Sequence, residues 1–318
     1  VADAGIYLAG YERPSLAQLQ ARWRDGQPTA LMIFYRALMI AGTLDAVDSM
    51  VTALEERGFN VVPVYVRALR EPFAIDWLSG LLGEVSPDVI INATSFAAAS
   101  SSEPRTSSVL ELADCPILQV AFAGMEEDEW SAATRGLGPR DLAMNVALPE
   151  VDGRIFTRAI AFKAAERFDE VTQCGIVVPR VAQSRVDFVG ELAANWASLR
   201  STPPQRRRIA LILANYPNRD GRIGNGVGLD TPESAIAILN ALREVGYCVA
   251  NAPADSAGLM ACVTSGVTND LASLDRPGEV SFPLAEYEHV FSTLPETVRE
   301  TMTSRWGAPA DDPFVRAG

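Results

Sequence analysis

The chain has 318 residues, 48% of them hydrophobic, and a formal net charge of −13. Those values describe a folded protein with room for one large or two ordinary α/β domains, and they exclude a disordered chain. The acidic balance argues against a nucleic-acid surface and against charge-driven binding to anionic lipid, and no apolar run is long enough to span a membrane.

Residues 1–28 read as an incoming loop and a short helix, with Leu16, Leu19 and Trp23 on one face. Ala30 to Tyr35 is the first clear strand. Thr43 to Arg57 has helical spacing through Val47, Met50, Val51 and Leu54, and Gly58 ends it. Val61 to Val66 is the next strand, Ile75 to Leu82 a short helix, and Val89 to Asn92 a third buried strand. Asn92, Thr94 and Ser95 follow it as a polar cluster. Small residues there admit a ligand or another backbone, although Ser100-Ser101-Ser102 also reads as a flexible surface loop.

Ile117 to Ala121 is a fourth strand, followed by Gly124 and an acidic helix start at Glu126 to Glu129. That acidic run reads as a solvated helix N-terminus, not a metal site. Met144 to Leu148 reads as a further strand, and Gly153 to Phe162 alternates like a β extension. Val186, Val189, Leu192, Trp196 and Leu199 mark a helix ending at Arg200. Ser201-Thr202-Pro203-Pro204 and the arginines after it form the best linker.

Beyond the linker, Ile209 to Ala214 is almost purely apolar, as a strand buried on both faces should be. A long loop follows, with Gly221, Gly224, Gly226 and Gly228 among polar side chains. Thr231-Pro232-Glu233 then restarts a helix, with Thr231 as N-cap and Pro232 in the first position. Strand, glycine-rich loop and helix N-terminus form a site-building unit of open α/β sheets. The same loop also reads as a plain solvated crossover. Ala53 to Phe59 and Ala241 to Tyr247 echo each other at the ends of two helices, which points to two similar lobes. Later, Phe282 to Leu294 is amphipathic, and Pro295-Glu296 starts a helix to Trp306.

Histidine and cysteine narrow the chemistry. His289 is the only histidine, which argues against a His/Cys zinc site and a conventional Ser-His-Asp triad elsewhere in the chain. His289 itself reads as a surface histidine, with a ligand role as the alternative. Cys115, Cys174, Cys248 and Cys262 are far apart and read as buried small hydrophobes in a reducing cytoplasm. Lys163, the only lysine, has no glycine-rich phosphate loop before it, so ATP is expected to be used elsewhere. The chain opens at Val1 without a signal peptide and stops at Gly318 without an obvious domain end, which reads as a piece of a longer protein.

The run from Asn215 through Tyr216, Asn218, Arg219, Asp220, Arg222, Asn225 and Asp230 to Pro232 closely resembles a signature of the large subunits of aerobic, ATP-dependent cobaltochelatases, in the cobalt/magnesium chelatase large-subunit family. Phe34-Tyr35-Arg36, Pro87 to Thr94 and Asp141 to Arg154 resemble the same subunits, in one consistent order. The magnesium chelatase subunit is similar but departs at the loop, where this chain has Tyr216-Pro217-Asn218. Glu286-Tyr287 and Trp306-Gly307-Ala308-Pro309 also resemble elements of both subunits.

The resemblance implies a subunit that binds metal and corrinoid precursor and inserts cobalt into hydrogenobyrinic acid a,c-diamide. It also implies separate AAA+ ATPase and metal-ion-adhesion subunits that handle ATP. Metal insertion removes two pyrrole protons and holds the ring, which requires a carboxylate base and cations for the ring's carboxylate arms. Glu286 is the candidate base. Asn215, Tyr216, Arg219, Arg222, Asn225, Asp230 and Tyr287 are candidate substrate-binding residues, and His289 is a weak metal candidate. The plainer reading of Glu286 and Tyr287 is a surface glutamate and a core tyrosine. Two other classes stay open: a two-lobed ligand-binding module, and a nucleotide-sugar transferase whose glycine loop cradles a phosphate. The expected fold is α/β, with two Rossmann- or flavodoxin-like lobes and mainly parallel sheets. Its divisions are a first lobe over residues 1–150, a connecting segment and helix over 151–205, and a second lobe over 206–318.

Overall fold

The computed structural model describes residues 1–99, 107–214, 223–268, 271–273, 276 and 281–315. Two compact units divide the chain, Val1–Thr202 and Pro203–Gly318, so the boundary falls inside the proline-rich linker.

The first unit is built on a seven-stranded sheet in the order β1-β3-β2-β4-β5-β6-β7. The strands are β1 (Ala4–Ile6), β2 (Thr29–Tyr35), β3 (Asn60–Val66), β4 (Val89–Asn92), β5 (Ile117–Ala123), β6 (Ile155–Asp169) and β7 (Cys174–Val181). From β3 across to β6 every neighbour is parallel, while β1 and β7 close the two edges antiparallel. The expected strands of this unit are present through β5, and the β extension is β6. The edge strands β1 and β7 lack the long apolar run that marks the central ones. Residues 151–202, expected as a connecting segment, supply β6, β7 and a helix to this same unit.

Period-two alternation along β2 explains the layering. Ala30, Met32 and Phe34 face one core with Val47, Met50 and Leu54 of α3 (Asp45–Glu56) and Val186, Val189 and Ala193 of α8 (Gln183–Ser201). Leu31 and Ile33 face the other core with Leu78 and Leu82 of α4 (Pro72–Val85). Both faces of β2, β3 and β4 are therefore covered, which is why these strands are continuous apolar runs. Short helices α1 (Leu16–Gln20), α2 (Arg36–Ala41) and α5 (Glu127–Ala132) lie on the connections.

Met144 to Leu148 is not a strand. α6 (Pro139–Asp141), a π-helical turn (Leu142–Ala147) and α7 (Leu148–Glu150) run on from one another. Pro139 supplies a pre-set first helical position. Asn145 donates from its amide to Asp141 Oδ1 at 3.3 Å, a contact four residues back that helical winding allows and a strand would not.

In the second unit the described helices are α9 (Thr231–Glu244), α10 (Ser256–Thr264), α11 (Leu284–Thr293) and α12 (Glu296–Trp306). A small cluster of Ala235, Ile236 and Leu259, with Leu213 and Leu239 against it, holds α9 to α10. Ile209 to Ala214 joins no ladder, and Ile212 is 88% exposed. The expected buried strand is thus neither a strand nor covered. A strand is buried by its neighbours, and among the described residues of this unit no strand pairs with it; its one backbone bond is from the Gly224 N–H to the Ala214 carbonyl. The helix-end echo does hold. Gly58 (φ 84°) and Gly246 (φ 91°) are both left-handed, and Phe59 and Tyr247 each donate back to a leucine carbonyl, of Leu54 and Leu242.

The cysteines depart from expectation: Cys174, Cys248 and Cys262 are exposed and Cys115 is half-buried. Cys174 opens an edge strand, and the other two belong to the thinly covered second unit. Burial pushes the Cys115 thiol up to about 12, with Arg200 opposing the shift. With a thiol reagent near neutral pH, the native chain should show three fast equivalents. The fourth should appear only after denaturation.

Candidate functional site

Two places in the structure gather functional groups, one in each unit. The first lies at the carboxyl edge of the sheet. The chain leaves β2 toward β3 and leaves β4 toward β5, so the strand order reverses between β2 and β4. In open α/β sheets the crevice at such a reversal is the usual ligand position. Here it is closed by hydrogen bonds. The Tyr35 hydroxyl, at the end of β2, accepts from the Ser95 N–H at 3.0 Å and donates to the Ser95 carbonyl at 3.2 Å. Burial raises the Tyr35 phenol, and its bonds to Ser95 oppose that rise.

Beneath this bridge lies a buried polar network. Asn92 donates to Gln119 Oε1 at 2.7 Å, Thr94 donates to Asn92 at 3.0 Å, and Gln119 donates to the Thr94 carbonyl at 3.0 Å. Arg154 and Asp152 are paired at 2.5 Å, with both side chains 0% exposed. Asp152 also accepts from the N–H groups of Ala98 and Ala99, at 2.6 and 2.8 Å. Arg154 reaches Gln119 Oε1 and the Thr94 carbonyl at 3.4 Å, and its Nε has no partner among the described residues. Burial pushes the Arg154 guanidinium down, and Asp152 opposes that. A second chain of bonds runs from Ser95 to Asn145 at 2.6 Å, on to Asp141, and to the Gly124 N–H at 2.9 Å. Above it Phe96 is exposed with φ 65°, in the left-handed region a phenylalanine rarely occupies, and its N–H donates to the Met144 carbonyl. π-helical turns such as the one holding Met144 and Asn145 recur at functional sites.

Three of the four long segments behind the family resemblance meet at this edge: Tyr35-Arg36, Asn92 to Thr94, and Asp141 to Arg154. Sequence reasoning marks Asn92 and Thr94 but passes over Gln119, Asp152 and Arg154 as functional candidates. The available signal is a single polar residue inside an otherwise apolar strand, as Gln119 is in β5.

The second place is a cavity of about 990 Å³ within the second unit. Phe282, Tyr287, Phe291, Met302, Trp306 and Phe314 are among its lining residues. Tyr287 stacks on Phe291 with centroids 6.1 Å apart and planes 20° apart, the i,i+4 spacing of α11. Tyr287 is thus a wall residue at the cavity rather than the core tyrosine of the alternative reading. Glu286 sits in the first turn of α11, exposed, and is not one of the lining residues. His289 is exposed on the same helix.

Of the loop candidates, Asn215, Tyr216, Arg219 and Arg222 lie outside the described residues. Asn225 is exposed beside the isolated bridge between Gly226 and Leu229. Gly226 passes so close to Thr231 that a Cβ would meet its hydroxyl at 2.8 Å. Asp230, not Thr231, is the N-cap of α9, accepting from the Glu233 N–H at 3.0 Å. Thr231 occupies the first helical position, and the aspartate is the better acceptor because it is charged at the positive helix end. Among the described residues no group of three or more His, Cys, Asp and Glu side chains is placed to hold a metal ion. No helix among them is long and apolar enough to cross a membrane.

The buried pair generates a test. Asp152→Ala leaves an uncompensated guanidinium in the interior and two N–H groups without an acceptor. The first unit should lose about 3–5 kcal/mol, read as a lower denaturation midpoint with faster amide exchange in β4 and β5. An unchanged midpoint would remove the pair from the edge's support.

The CobN/Magnesium Chelatase family profile matches residues 1–317. An aerobic cobaltochelatase subunit CobN from Sinorhizobium is 43% identical over 99% of this chain and 25% of its own length. A magnesium-chelatase subunit from Chlorobaculum parvum is 26% identical over 89% of this chain and 21% of its own length. The solved catalytic subunit of cobaltochelatase from Mycobacterium tuberculosis superposes with a TM-score of 0.74 at 31% identity, over 99% of this chain and 25% of that one. The chain spans about a quarter of the length of these cobaltochelatase relatives. Sequence match and shared fold agree, and the chain belongs to the CobN/Magnesium Chelatase family.

Proposed function

We propose that this chain is part of the large, tetrapyrrole- and metal-binding subunit of aerobic, ATP-dependent cobaltochelatase, a ligase that forms nitrogen–metal bonds in cobalamin biosynthesis. The observation that carries this reading is the identity gap: 43% to an aerobic cobaltochelatase subunit against 26% to a magnesium-chelatase subunit. The substrate metal is cobalt and the ring is hydrogenobyrinic acid a,c-diamide. ATP is used by an AAA+ subunit working with a metal-ion-adhesion-type subunit, in the cytoplasm. The chain by itself is inactive.

The chemistry assigns roles to particular residues. A flat macrocycle is recognised by aromatic faces, and the cavity walled by Tyr287, Phe291 and Trp306 offers them. Glu286, exposed beside that wall, takes a pyrrole proton or guides the incoming metal. Arg219 and Arg222 bind the ring's carboxylate arms bidentately, within a loop that also carries Asn215, Tyr216, Asn225 and Asp230. His289 stays a secondary metal candidate.

The expected behaviour follows from these roles. In the complete subunit with its partners, Glu286→Gln keeps size and hydrogen bonding but removes the charge. Cobalt insertion should fall by roughly 10²–10⁴-fold while ring binding by fluorescence titration stays near the parent. Normal insertion would reject the role. Arg219→Ala and Arg222→Ala, taken separately, should each weaken ring binding by about 2–5 kcal/mol where the carboxylate pair is desolvated. Parent-like binding by both, at low and moderate salt and with unchanged thermal stability, would leave the loop as architecture.

A further inference from the structure

Metal insertion replaces ring N–H bonds by N–metal bonds, so each proton that leaves needs an acceptor within reach of the bound ring. The aromatic cavity of the second unit holds one that local sequence pattern does not mark. Among the described residues that line it, Asp312 is the only carboxylate and the only formal charge of either sign. The others are apolar or neutral, with Tyr287, Trp306 and Phe314 among the aromatic ones. Arg305 lies 5.1 Å from the centroid of the Trp306 ring but is not a lining residue. A wall with one negative charge and no positive one repels an anion such as a phosphate and suits a cation or a proton.

The turn after α12 holds this carboxylate in place. Gly307 ends the helix with φ 84°, and a short 3-10 turn over Pro309–Asp311 follows. Two adjacent aspartates then have different duties. Asp311 Oδ2 accepts from the Ala308 N–H at 3.3 Å and lies against Gly307, and Asp311 does not line the cavity. Asp312 Oδ1 accepts from the Phe314 N–H at 2.8 Å, and the Asp312 carbonyl accepts from the Val315 N–H at 2.9 Å. Phe314 and Val315, the residues tied down in this way, are themselves on the wall. One oxygen of Asp312 is therefore fixed, while Oδ2 has no partner among the described residues and no cation pairs with it. The residue is exposed, as a group that meets a ligand must be.

We propose that Asp312 is a catalytic residue of metal insertion, whose Oδ2 takes a proton from a ring nitrogen as the metal enters. The N–H bond breaks, and its electron pair becomes the N–metal bond. The carboxylate becomes a carboxylic acid and later gives the proton to water. The metal keeps its oxidation state, so the step needs no oxidant or reductant. Fixing Oδ1 leaves the other oxygen pre-oriented, which spares the ordering of a free side chain at the moment of transfer. Glu286, which does not line the cavity, is left to guide the metal. This assignment rests on reading the cavity as the ring site, but it does not depend on which metal is inserted.

The test uses the complete subunit with its partner subunits. Asp312→Asn removes the charge but keeps the size, and its amide oxygen can still accept from the Phe314 N–H. Insertion should fall roughly 10²–10⁴-fold while ring affinity by fluorescence titration stays near the parent, so the loss appears in kcat and not in KM. Asp312→Glu, which keeps a carboxylate, should recover part of the rate. Asp311→Asn is the matched control and should insert like the parent. An aspartate that only holds the turn gives another pattern, with Asp312→Asn unimpaired and Asp312→Ala impaired. Parent-like insertion by Asp312→Asn overturns the proposal, as does a loss confined to ring binding and the denaturation midpoint. Failure of the cavity reading looks different. Trp306→Ala removes a wall aromatic and leaves Asp312 in place, so ring binding should weaken. Unchanged binding there, or no tetrapyrrole binding by the parent, overturns the cavity reading and this assignment together.

Discussion

The buried pair of Asp152 and Arg154 is the constraint on which the polar edge of the first unit's sheet depends. Ionic groups lose several kcal/mol of hydration each when they are fully enclosed, and attraction between them repays it only with further hydrogen bonds. Asp152 has those bonds, from Ala98 and Ala99 as well as from Arg154. Arg154 is less completely satisfied, with two long contacts and an Nε that has no partner among the described residues. The pair therefore contributes less to net stability than to definition. It fixes where the chain goes after β4, and through Gln119 it ties β4 to β5.

That definition propagates outward. Once Ala98 and Ala99 are held, Ser95 and Phe96 are confined between β4 and the π-helical turn, which completes the confinement through Asn145 and Met144. The left-handed backbone at Phe96 is a local cost maintained by its surroundings. Apolar contacts on both faces of the sheet leave no room for polar groups along β2 to β4, so these collect where the strands end. The second unit works differently. Its aromatic cavity is walled by α11 and α12, neither of which has a buried residue, so the wall is a surface rather than a core.

Much of the first unit is legible in the sequence because its strands are buried on both faces and its helices show clean spacing. β4 can be read to the residue, and the linker falls where two prolines follow a helix. The failures have specific causes. Met144 to Leu148 mixes small and apolar residues over too short a span to separate period two from helical winding, and only the tertiary bonds of Asn145 decide it. Ile209 to Ala214 has strand composition, but composition reports an affinity for neighbours and cannot supply them. In the second unit, Tyr287 is legible as one of an aromatic pair at helical spacing, whereas Asp152 and Arg154 look like ordinary loop charges. Arg154 bonds to residues sixty and thirty-five positions away and Asp152 to residues more than fifty away, which local pattern does not carry.

The strand order also has a consequence for synthesis. Ala4 of β1 pairs with Val66 at the far end of β3, so the first strand made has no partner until about sixty residues more have emerged. β2, in turn, stays open on one side until β4 appears, since Ala30 pairs with Val89. The β6–β7 ribbon is the opposite case, closed by a turn of a few residues and able to form as soon as it leaves the ribosome. The amino-terminal strand can thus close its edge as soon as β3 is made, before β4 exists, and the nascent chain carries β2 with its other apolar edge open through the interval.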